Sequence, residues 1–253
     1  MDSTKNKLNK KSKLPFNINR KSFLGVLSLA YQEIIDSFLT KTKIKKPKEE
    51  EVLDLVRRKA KKNNPESVLK VIDSFAYKKT FLMNIGDKKG KILDEYVLKS
   101  NAKCLLELGV YLGYSTIRIA KNLSDDAHLY SIDVNEEFLN IAKQHLEFSG
   151  LTEKVSFFNG KASEVIPQLD QKFDFVFIDH WKEAYLDDLK ILIKHDRLKD
   201  GAVIFADNIV LFHLEEYLDF VRTSPNFSSE FIPALREYSS SHPDGIEVSY
   251  FKK

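Results

Sequence analysis

The stretch KCLLELGVYLGYSTIRIAKNL, residues 103–123, contains the pattern that decides the fold. Apolar residues dominate positions 103–109, the length of one buried strand, and residues 114–123 have the spacing of a helix. Gly109 and Gly113 lie in the turn between them, where the missing Cβ lets the backbone approach a ligand closely. The stretch therefore predicts a strand, a tight turn and a helix, the repeating unit of an α/β domain.

The same alternation continues along the chain from residue 91. Predicted helices include EEFLNIAKQHLEFSG at 136–150, which Gly150 ends, and ASEVIPQL at 162–169. Before this part of the chain, Asn64 is a predicted N-cap for the helix that starts at Pro65. Strands are predicted at 103–109, 128–134, 155–160, 173–179 and 201–207, and two more, NFSSEFI and IEVSYF, flank a turn containing Pro243-Asp244-Gly245. Alternating strands and helices imply right-handed crossovers and a parallel sheet covered on both faces. The last two strands predict a terminal antiparallel pair. Such a sheet binds ligands outside the carboxyl ends of its strands.

Residues 1–47 differ in character from the rest of the chain. They comprise a basic tail, an amphipathic helix predicted at 23–39, and a linker rich in Lys and Pro at 41–48. A basic tail with such a helix suits peripheral contact with a membrane surface or an organelle-targeting segment. The favoured interpretation is a solvated tail followed by a helix packed on the domain.

The composition is that of an ordinary globular protein, with 43% hydrophobic and 30% charged residues among 253. The net charge of +3 does not by itself argue for a nucleic-acid partner. Cys104 is the single cysteine, which excludes an internal disulfide, and its apolar neighbours indicate a buried thiol. No segment reaches the roughly 18 uninterrupted apolar residues of a membrane span. We expect a cytoplasmic monomer, with membrane association or organelle targeting through the N-terminal segment as the alternative.

Acidic residues stand at the carboxyl ends of four predicted strands. They are Glu107, Asp133, Asp179 and Asp207, the last of which is followed by Asn208. Any one of them alone is explained as a cap for the next helix. Four together on one rim of the sheet indicate a binding site instead.

The first turn favours a nucleoside ligand without phosphates. Its glycines lack the G-x-G-x-x-G spacing that a pyrophosphate requires, which weakens the case for a nicotinamide cofactor. Glu107, just before Gly109, suits a cationic group such as an α-amine. Asp133 lies close to the position, roughly 20 residues further on, where Rossmann-type folds place the acid that binds ribose hydroxyls. An adenosine with a cationic tail and no phosphates is S-adenosylmethionine.

Asp179, Asp207 and Asn208 form a second cluster at the ends of strands that are expected to be adjacent. Hard oxygen ligands of this type suit Mg²⁺, which takes its remaining ligands from water and substrate. The alternative is two capping Asp residues and an Asn in a turn, because such side chains are common in loops.

Six stretches together resemble the catechol O-methyltransferase family: NPESVLKVIDSF, MNIGDKKGKILD, LLELGVYLGYS, FIDHWKEAYL, FADN and REYSSSHPDGIE. The resemblance covers the chain from about Lys48 to the C-terminus, so residues 48–253 would form the catalytic domain. It implies a Rossmann-like methyltransferase fold of the α/β class, with a seven-stranded, mostly parallel sheet, a C-terminal antiparallel pair and helices on both faces. The implied activity is Mg²⁺-dependent methyl transfer from S-adenosylmethionine to one hydroxyl of a catechol-like substrate.

The resemblance also implies roles for individual residues. The metal ligands would be Asp179, Asp207 and Asn208. Lys182 would take the proton from the hydroxyl that is methylated, and Glu237 would hydrogen-bond the neighbouring hydroxyl. Together with Lys182, Asn208 and Glu237, the substrate would contact hydrophobic walls formed by Phe81, Trp181 and Phe212.

The residues implied around S-adenosylmethionine are Met83, Asn84, Ile85, Glu107, Gly109, Tyr111, Gly113, Ser115, Asp133, Val134, Ala162, Ser163, Asp179, His180 and Trp181. Within this set, Glu107 would bind the methionine amine and Asp133 the ribose diol. Val134, His180 and Trp181 would surround the adenine.

Four departures from the family pattern bear on specificity. Asp133 replaces the usual Glu, Ala162-Ser163 replaces a Ser-Gln pair near the adenine, and Phe81 stands where the mammalian enzymes have Trp. The segment between Leu169 and Phe173 is shorter than in those enzymes. None of these changes touches the metal ligands, the base or the orienting acid, so they bear on substrate preference more than on activity.

Three other functions fit the sequence less well than an enzyme of this type. A non-catalytic binding module with the same fold would not need Lys182, Glu237 and the metal ligands. A nicotinamide oxidoreductase would need the missing glycine spacing. A nucleic-acid methyltransferase would need basic and aromatic residues near the site, and the basic tail lies far from it in sequence. Lys182 itself, without the resemblance, is equally well explained as a surface lysine of the following helix.

Overall fold

Seven strands form one sheet in the computed structural model of the protein, which describes residues 46–212 and 214–253. The strands are β1 (Cys104–Leu108), β2 (His128–Asp133), β3 (Val155–Asn159), β4 (Phe173–Ile178), β5 (Leu198–Ala206), β6 (Phe227–Leu235) and β7 (Pro243–Phe251). Their spatial order is β3-β2-β1-β4-β5-β7-β6. Strands β1 to β5 pair in parallel, and β7 runs antiparallel to both β5 and β6. The predicted fold class is therefore confirmed.

Eight α-helices flank the sheet in the described part of the chain. They are α1 (Lys48–Lys59), α2 (Pro65–Lys78), α3 (Gly86–Ser100), α4 (Tyr114–Lys121), α5 (Glu136–Ser149), α6 (Ala162–Val165), α7 (Tyr185–Lys194) and α8 (Glu215–Thr223). Asn64 caps α2 as predicted, because its side chain accepts a hydrogen bond from Ser67 N at 2.9 Å. Gly150 ends α5 in a left-handed conformation, with φ of +75°.

Two elements differ from the predicted pattern. The predicted turn Pro243-Asp244-Gly245 begins strand β7, where Gly245 pairs with Pro233. The Asp244 side chain turns inward to accept hydrogen bonds, which holds this segment extended. The single helix expected at 162–169 divides at Ile166 into α6 and a 3₁₀ turn, Ile166–Gln168, because Pro167 has no N–H for the α-helical pattern.

The sheet separates two layers of core. Side chains alternate between its faces, so Phe175 and Phe177 pack with helices α1 to α5, whereas Val176 and Ile178 pack with α6 to α8. All four are fully buried. This double covering leaves the carboxyl ends of β1, β2, β4 and β5 as the rim on which polar side chains collect.

The basic tail, the amphipathic helix predicted at 23–39 and residues 41–45 of the linker lie outside the described residues. The division of the chain at residue 47 therefore stays a prediction. Among residues 46–212 and 214–253, no helix has the length and apolar character needed to cross a membrane.

His145 makes the stability of the fold depend on pH. Its Nδ1 contacts the Leu112 carbonyl at 2.9 Å, and its buried Nε2 has no partner among the described residues. Burial lowers the pKa of His145 to about 4, the Leu112 contact acts in the opposite direction, and the charge of Arg57 lowers it further. The unfolded chain, with an ordinary histidine, therefore binds a proton between pH 6.5 and about 4 that the folded chain excludes.

We expect this histidine to withdraw up to roughly 3 kcal/mol of stability as the pH falls through that window. Urea titrations of the wild type and His145→Asn at several pH values isolate the effect, because other buried groups cancel in the difference. The stability advantage of the wild type should shrink towards pH 4. Parallel curves for the two proteins would contradict the assignment.

Candidate active site

The rim brings together the predicted metal ligands and the predicted base. Strands β4 and β5 are neighbours, with Ile178 paired to Ala206, so Asp179 and Asp207 leave the sheet side by side. Asp207 N donates to the Ile178 carbonyl at 3.0 Å. Asn208 follows with a φ of +58°, a left-handed conformation that asparagine tolerates better than most residues.

Lys182 lies at the centre of this group. Its Nζ donates to Asp179 Oδ1 at 2.7 Å, to Asn208 Oδ1 at 3.0 Å and to the Tyr185 hydroxyl at 2.7 Å. Tyr185 is fully buried and donates in turn to the Asp207 carbonyl at 3.1 Å. Lys182 is therefore not a free surface lysine, because three polar side chains, including buried Tyr185, bind its Nζ.

Lys89, from α3, lies among carboxylates that follow β5, follow β6 and belong to β7. The sequence alone did not single it out. It is 1% exposed, and its Nζ lies 2.8 Å from Asp207 Oδ2, 2.9 Å from Asp244 Oδ2 and 3.1 Å from Glu237 Oε2. Burial acts to lower the pKa of Lys89, but the surrounding carboxylates, Asp207 foremost, raise it well above the usual value. A signal existed in the sequence, since position 89 shares the buried face of α3 with Leu93 and Val97.

Asp244 fixes the orientation of the Asn208 amide. Asn208 Nδ2 donates to Asp244 Oδ2 at 2.9 Å and, more weakly, to Glu237 Oε2 at 3.3 Å. Because the NH₂ group faces two carboxylates, the amide oxygen must face Asp179 and Lys182. Asp244 also accepts from Lys89 and from Leu211 N, so its charge is well compensated.

Asp207 is the carboxylate with least compensation. It is fully buried, and neither oxygen has a hydrogen bond from the part of the chain that the structure describes, although Lys89 lies within ion-pair distance of Oδ2. Burial raises the pKa of Asp207 to about 8, Lys89 acts against this rise, and Asp179, Asp244 and Glu237 add to it. A buried carboxylate short of partners is the state that a bound cation would relieve.

The donor set fits a hard divalent cation. A carboxylate oxygen of Asp179 and the amide oxygen of Asn208 both contact Lys182 Nζ, and Asp207 stands between them in the chain order of the rim, directly before Asn208. Carboxylate and amide oxygens are ligands of the kind that Mg²⁺ prefers. In the described part of the chain, no group of three or more His, Cys, Asp or Glu side chains has a metal-binding arrangement. The set therefore depends on Asn208 as its third ligand.

Glu107 occupies the middle of the rim but lies below its surface. It is fully buried in β1 and accepts hydrogen bonds from the hydroxyls of Ser115 at 2.6 Å, Thr116 at 2.7 Å and Ser131 at 2.6 Å. Burial raises the pKa of Glu107 to about 7, and these three hydroxyls act in the opposite direction. An amine ligand would have to share Oε1 with Ser115, so the contact with a cofactor amine stays a prediction.

Asp133 organises the glycine turn. Its Oδ2 accepts from Val110 N at 2.8 Å and Tyr111 N at 3.0 Å, and its Oδ1 accepts from Asn135 N at 2.9 Å. The carboxylate thus ties the end of β2 to the turn after β1. Its contact with a ribose diol is an added role that stays a prediction.

The two glycines of the turn are required by close protein contacts. A Cβ on Gly109, whose φ is +95°, would lie 2.5 Å from the Asp179 carbonyl oxygen. A Cβ on Gly113, whose φ is +78°, would lie 3.0 Å from the Cβ of Ala142. The close approach expected from the sequence is present, but the groups approached belong to the protein itself.

Tyr238 contacts both the loop before α3 and helix α2. Asn84 Nδ2 lies 3.4 Å from the Tyr238 hydroxyl, and Tyr238 donates to Asp73. Asn84 Oδ1 is buried and has no partner within residues 46–212 and 214–253, whereas Ile85 is buried and Met83 is exposed. The Tyr111 hydroxyl donates to Glu49 of α1 at 2.8 Å, a contact that the sequence alone did not indicate.

The predicted adenine-binding residues are spread over the rim and are mainly exposed. Trp181 is 75% and Val134 65% exposed, Ser163 is exposed, and Ala162 is buried at the start of α6. His180 differs from them. Its Nε2 lies 2.6 Å from buried Asp188, and its ring stacks on Tyr185.

Of the residues predicted as substrate walls, Phe212 lies close to Lys182. The Phe212 ring lies 5.5 Å from Lys182 Nζ and is half exposed. Phe81 is partly buried next to the Lys48 side chain, which donates to its carbonyl. An aromatic ring next to a polar cluster, as Phe212 is next to Lys182, forms a surface on which a flat, polar-edged molecule can bind.

Comparison with known proteins identifies relatives over most of the chain. A family model described as O-methyltransferase matches residues 59–215. Catechol O-methyltransferase B of Danio rerio is 35% identical over 234 residues, covering 90% of this chain and 88% of that protein. Catechol O-methyltransferase of Mus musculus is 34% identical over 233 residues, with the same coverage of 90% and 88%.

A solved structure agrees with the fold. The O-methyltransferase TomG of Streptomyces achromogenes, crystallised with SAM, superposes with a TM-score of 0.65 over 73% of this chain and 89% of that one. The two sequences are 21% identical. At that identity the likeness bears on the arrangement of helices and strands alone.

Proposed function

The chain belongs to the O-methyltransferase family, as a relative of the catechol O-methyltransferases, and is therefore an S-adenosylmethionine-dependent O-methyltransferase; we propose that its acceptor is a catechol-like diol and that the reaction requires Mg²⁺. The transfer would place one methyl group on one of the two adjacent hydroxyls. The diol acceptor and the Mg²⁺ requirement both concern the rim at the ends of β4 and β5.

The observation that carries the proposal is the continuous polar cluster from Asp179 to Glu237. Lys182 contacts Asp179 and Asn208, and Asn208 and Lys89 both contact Glu237. A diol needs two such partners, one for each hydroxyl, at neighbouring positions. A non-catalytic binding module has no need of a lysine held by three polar partners in the same cluster.

Each residue of the cluster has a proposed task. Asp179, Asp207 and Asn208 would hold the metal ion. When bound, Mg²⁺ would supply the positive charge that stabilises a phenolate oxygen. Lys182 Nζ would accept the proton of the reacting hydroxyl, and Glu237 would bind the other hydroxyl. Orientation matters because displacement at a methyl carbon needs the oxygen, carbon and sulfur in line.

The cofactor would bind along the rim from the loop before α3 to the end of β4. We assign the methionine part to the side of Asn84, Ser115 and Glu107, and the ribose to Asp133. Exposed Val134 and Trp181 are apolar surfaces that an adenine ring would cover. Orphaned Asn84 Oδ1 is an acceptor for which a bound molecule would supply a donor.

A methyl-transfer assay tests the proposed function. The full chain, S-adenosylmethionine, Mg²⁺ and catechol should yield a singly methylated diol, identified by chromatography. Chelation should abolish the product, and added Mg²⁺ should restore it. Phenol, which has one hydroxyl, should not be methylated at a comparable rate.

Three results would count against the proposal. Methylation of catechol that survives chelation would exclude the metal requirement. Equal rates on phenol and catechol would exclude the diol. Cofactor binding in calorimetry without transfer to any diol would favour the binding-module alternative.

A further inference from the structure

Arg236 stands beside the proposed substrate site, and neither its sequence position nor the resemblance gave it a role. It follows directly after β6 and precedes Glu237, the proposed partner of the second hydroxyl. Its guanidinium carbon lies 5.8 Å from the centroid of the Phe81 ring, over a proposed substrate wall. This cation–π contact holds the guanidinium group next to the Phe81 ring.

Two of the three guanidinium nitrogens of Arg236 make no hydrogen bond to the described part of the chain. Its Nε and Nη1 atoms are buried, and neither has a hydrogen-bond partner among residues 46–212 and 214–253. A buried guanidinium donor without an acceptor is unfavourable, so such groups normally face an acceptor. Glu237, the adjacent carboxylate, is engaged by Lys89 and Asn208 instead.

Other positive charges lie around the same loop. Lys48 Nζ donates to the Phe81 carbonyl at 3.2 Å, and Lys88 Nζ donates to the Ser239 carbonyl at 3.2 Å. With Arg236, these side chains give the outer part of the site a positive character, whereas the inner part contains the carboxylates. An acceptor with its diol inside and an anionic group outside complements both.

The adjacency of Arg236 and Glu237 in the chain indicates where this anionic group would lie. Arg236 and Glu237 are consecutive, with Cα atoms about 3.8 Å apart, but their side chains contact Phe81 and Lys89 respectively. A diol held by Glu237 would therefore extend its ring substituent past Phe81 towards Arg236. Arginine is well suited to bind a carboxylate through charge-assisted hydrogen bonds.

We propose that Arg236 selects catechol-type acceptors that carry a carboxylate on the ring or on a short side chain. This inference rests on the proposed function and narrows its substrate class. It makes Arg236 a residue that determines specificity and leaves methyl transfer itself to the inner cluster.

Matched acid and ester substrates test the proposal. The assay measures kcat/KM of the full chain for 3,4-dihydroxybenzoate and 3-(3,4-dihydroxyphenyl)propanoate, each against its methyl ester. In Arg236→Leu, which keeps the apolar contact with Phe81, the acid-to-ester ratio should fall roughly tenfold to a hundredfold for at least one pair, through KM of the acid. Comparing the acid-to-ester ratio of the variant with that of the wild type cancels differences in intrinsic reactivity between acid and ester.

Two further variants serve as controls. Arg236→Lys should retain part of the preference, because it keeps the charge and loses the planar donor arrangement. Lys99→Met removes one positive charge at the other end of α3 and should leave the ratio unchanged. Circular dichroism and S-adenosylmethionine titration verify that each variant is folded, and Arg236→Gln replaces the Leu variant if that protein is not.

The outcomes separate this inference from the function on which it rests. A ratio that stays within about twofold of the wild type for both pairs would overturn the role of Arg236, even with full activity on the esters. A ratio that falls equally in Lys99→Met would show a long-range charge effect and would also overturn it. Failure to methylate any acid, ester or catechol would contradict the proposed function itself.

Discussion

Lys182→Met is expected to lower kcat on catechol by roughly 10²–10⁴-fold, the usual contribution of a positioned general base. The three hydrogen bonds of Nζ are those of an ammonium group. As a base it must be neutral, and a neutral amine has two N–H groups and one lone pair. It would then release one of its three partners and direct the lone pair at the hydroxyl above Asp179.

Lys182→Arg distinguishes a base from a fixed positive charge. Arginine keeps the charge beside Asp179 and Asn208 but is not deprotonated in proteins, so this variant should be about as slow as Lys182→Met. On a nitrocatechol, whose hydroxyl is already ionised at neutral pH, both variants should lose much less. Steady-state rates on the two acceptors, with cofactor affinity measured separately, make the comparison. Wild-type kcat in Lys182→Arg would exclude a base role.

Asp207→Asn is expected to abolish most of the Mg²⁺-dependent rate and to stabilise the metal-free protein. Removing one ligand from a set of two carboxylates and an amide should weaken metal binding strongly, with at least a hundredfold loss of rate at limiting metal. The metal-free protein should become more stable, because Asp207 is buried near three further carboxylates. Neither of its oxygens has a hydrogen bond within the described residues. We expect a rise in melting temperature of a few degrees, or roughly 1 kcal/mol.

Asp244→Asn is the matched control, since it neutralises another buried carboxylate of the same cluster. Asp244 has partners in Lys89, Asn208 and Leu211 N, so its loss should lower the melting temperature. Thermal unfolding in the presence of chelator, followed by Mg²⁺ titration, measures both effects. A lower melting temperature in Asp207→Asn would contradict the view that Lys89 compensates this buried carboxylate only in part.

The order of helices and strands was predictable because it depends on local patterns. The apolar runs at 103–109 and 173–179 are buried strands, and Asn64 and Gly150 mark helix ends as expected. The rim position of Asp179 and Asp207 followed as well, since parallel strands align their carboxyl ends. The exception in this part of the fold is Pro243-Asp244-Gly245, where long-range bonds to Asp244 overrode a local turn signal.

The site could be predicted only in part, because charge pairing depends on contacts between distant segments. Lys89 and Asp244 are 155 residues apart in sequence yet form a buried ion pair. The sequence indicated that Glu107 and Asp133 belong to the rim, but not that hydroxyls and backbone amides already use their oxygens.

The sequence by itself determined the α/β class, the seven strands, and which carboxylates lie on one rim, because periodicity and strand ends are local properties of the chain. Only the tertiary structure decided which charge is paired with which. It placed Lys89 among three carboxylates and turned the amide oxygen of Asn208 towards Lys182. It also left two donors of Arg236 without a partner in the described part of the chain. The physical reason is that the energy of a charge depends on its burial and its neighbours, and packing sets both.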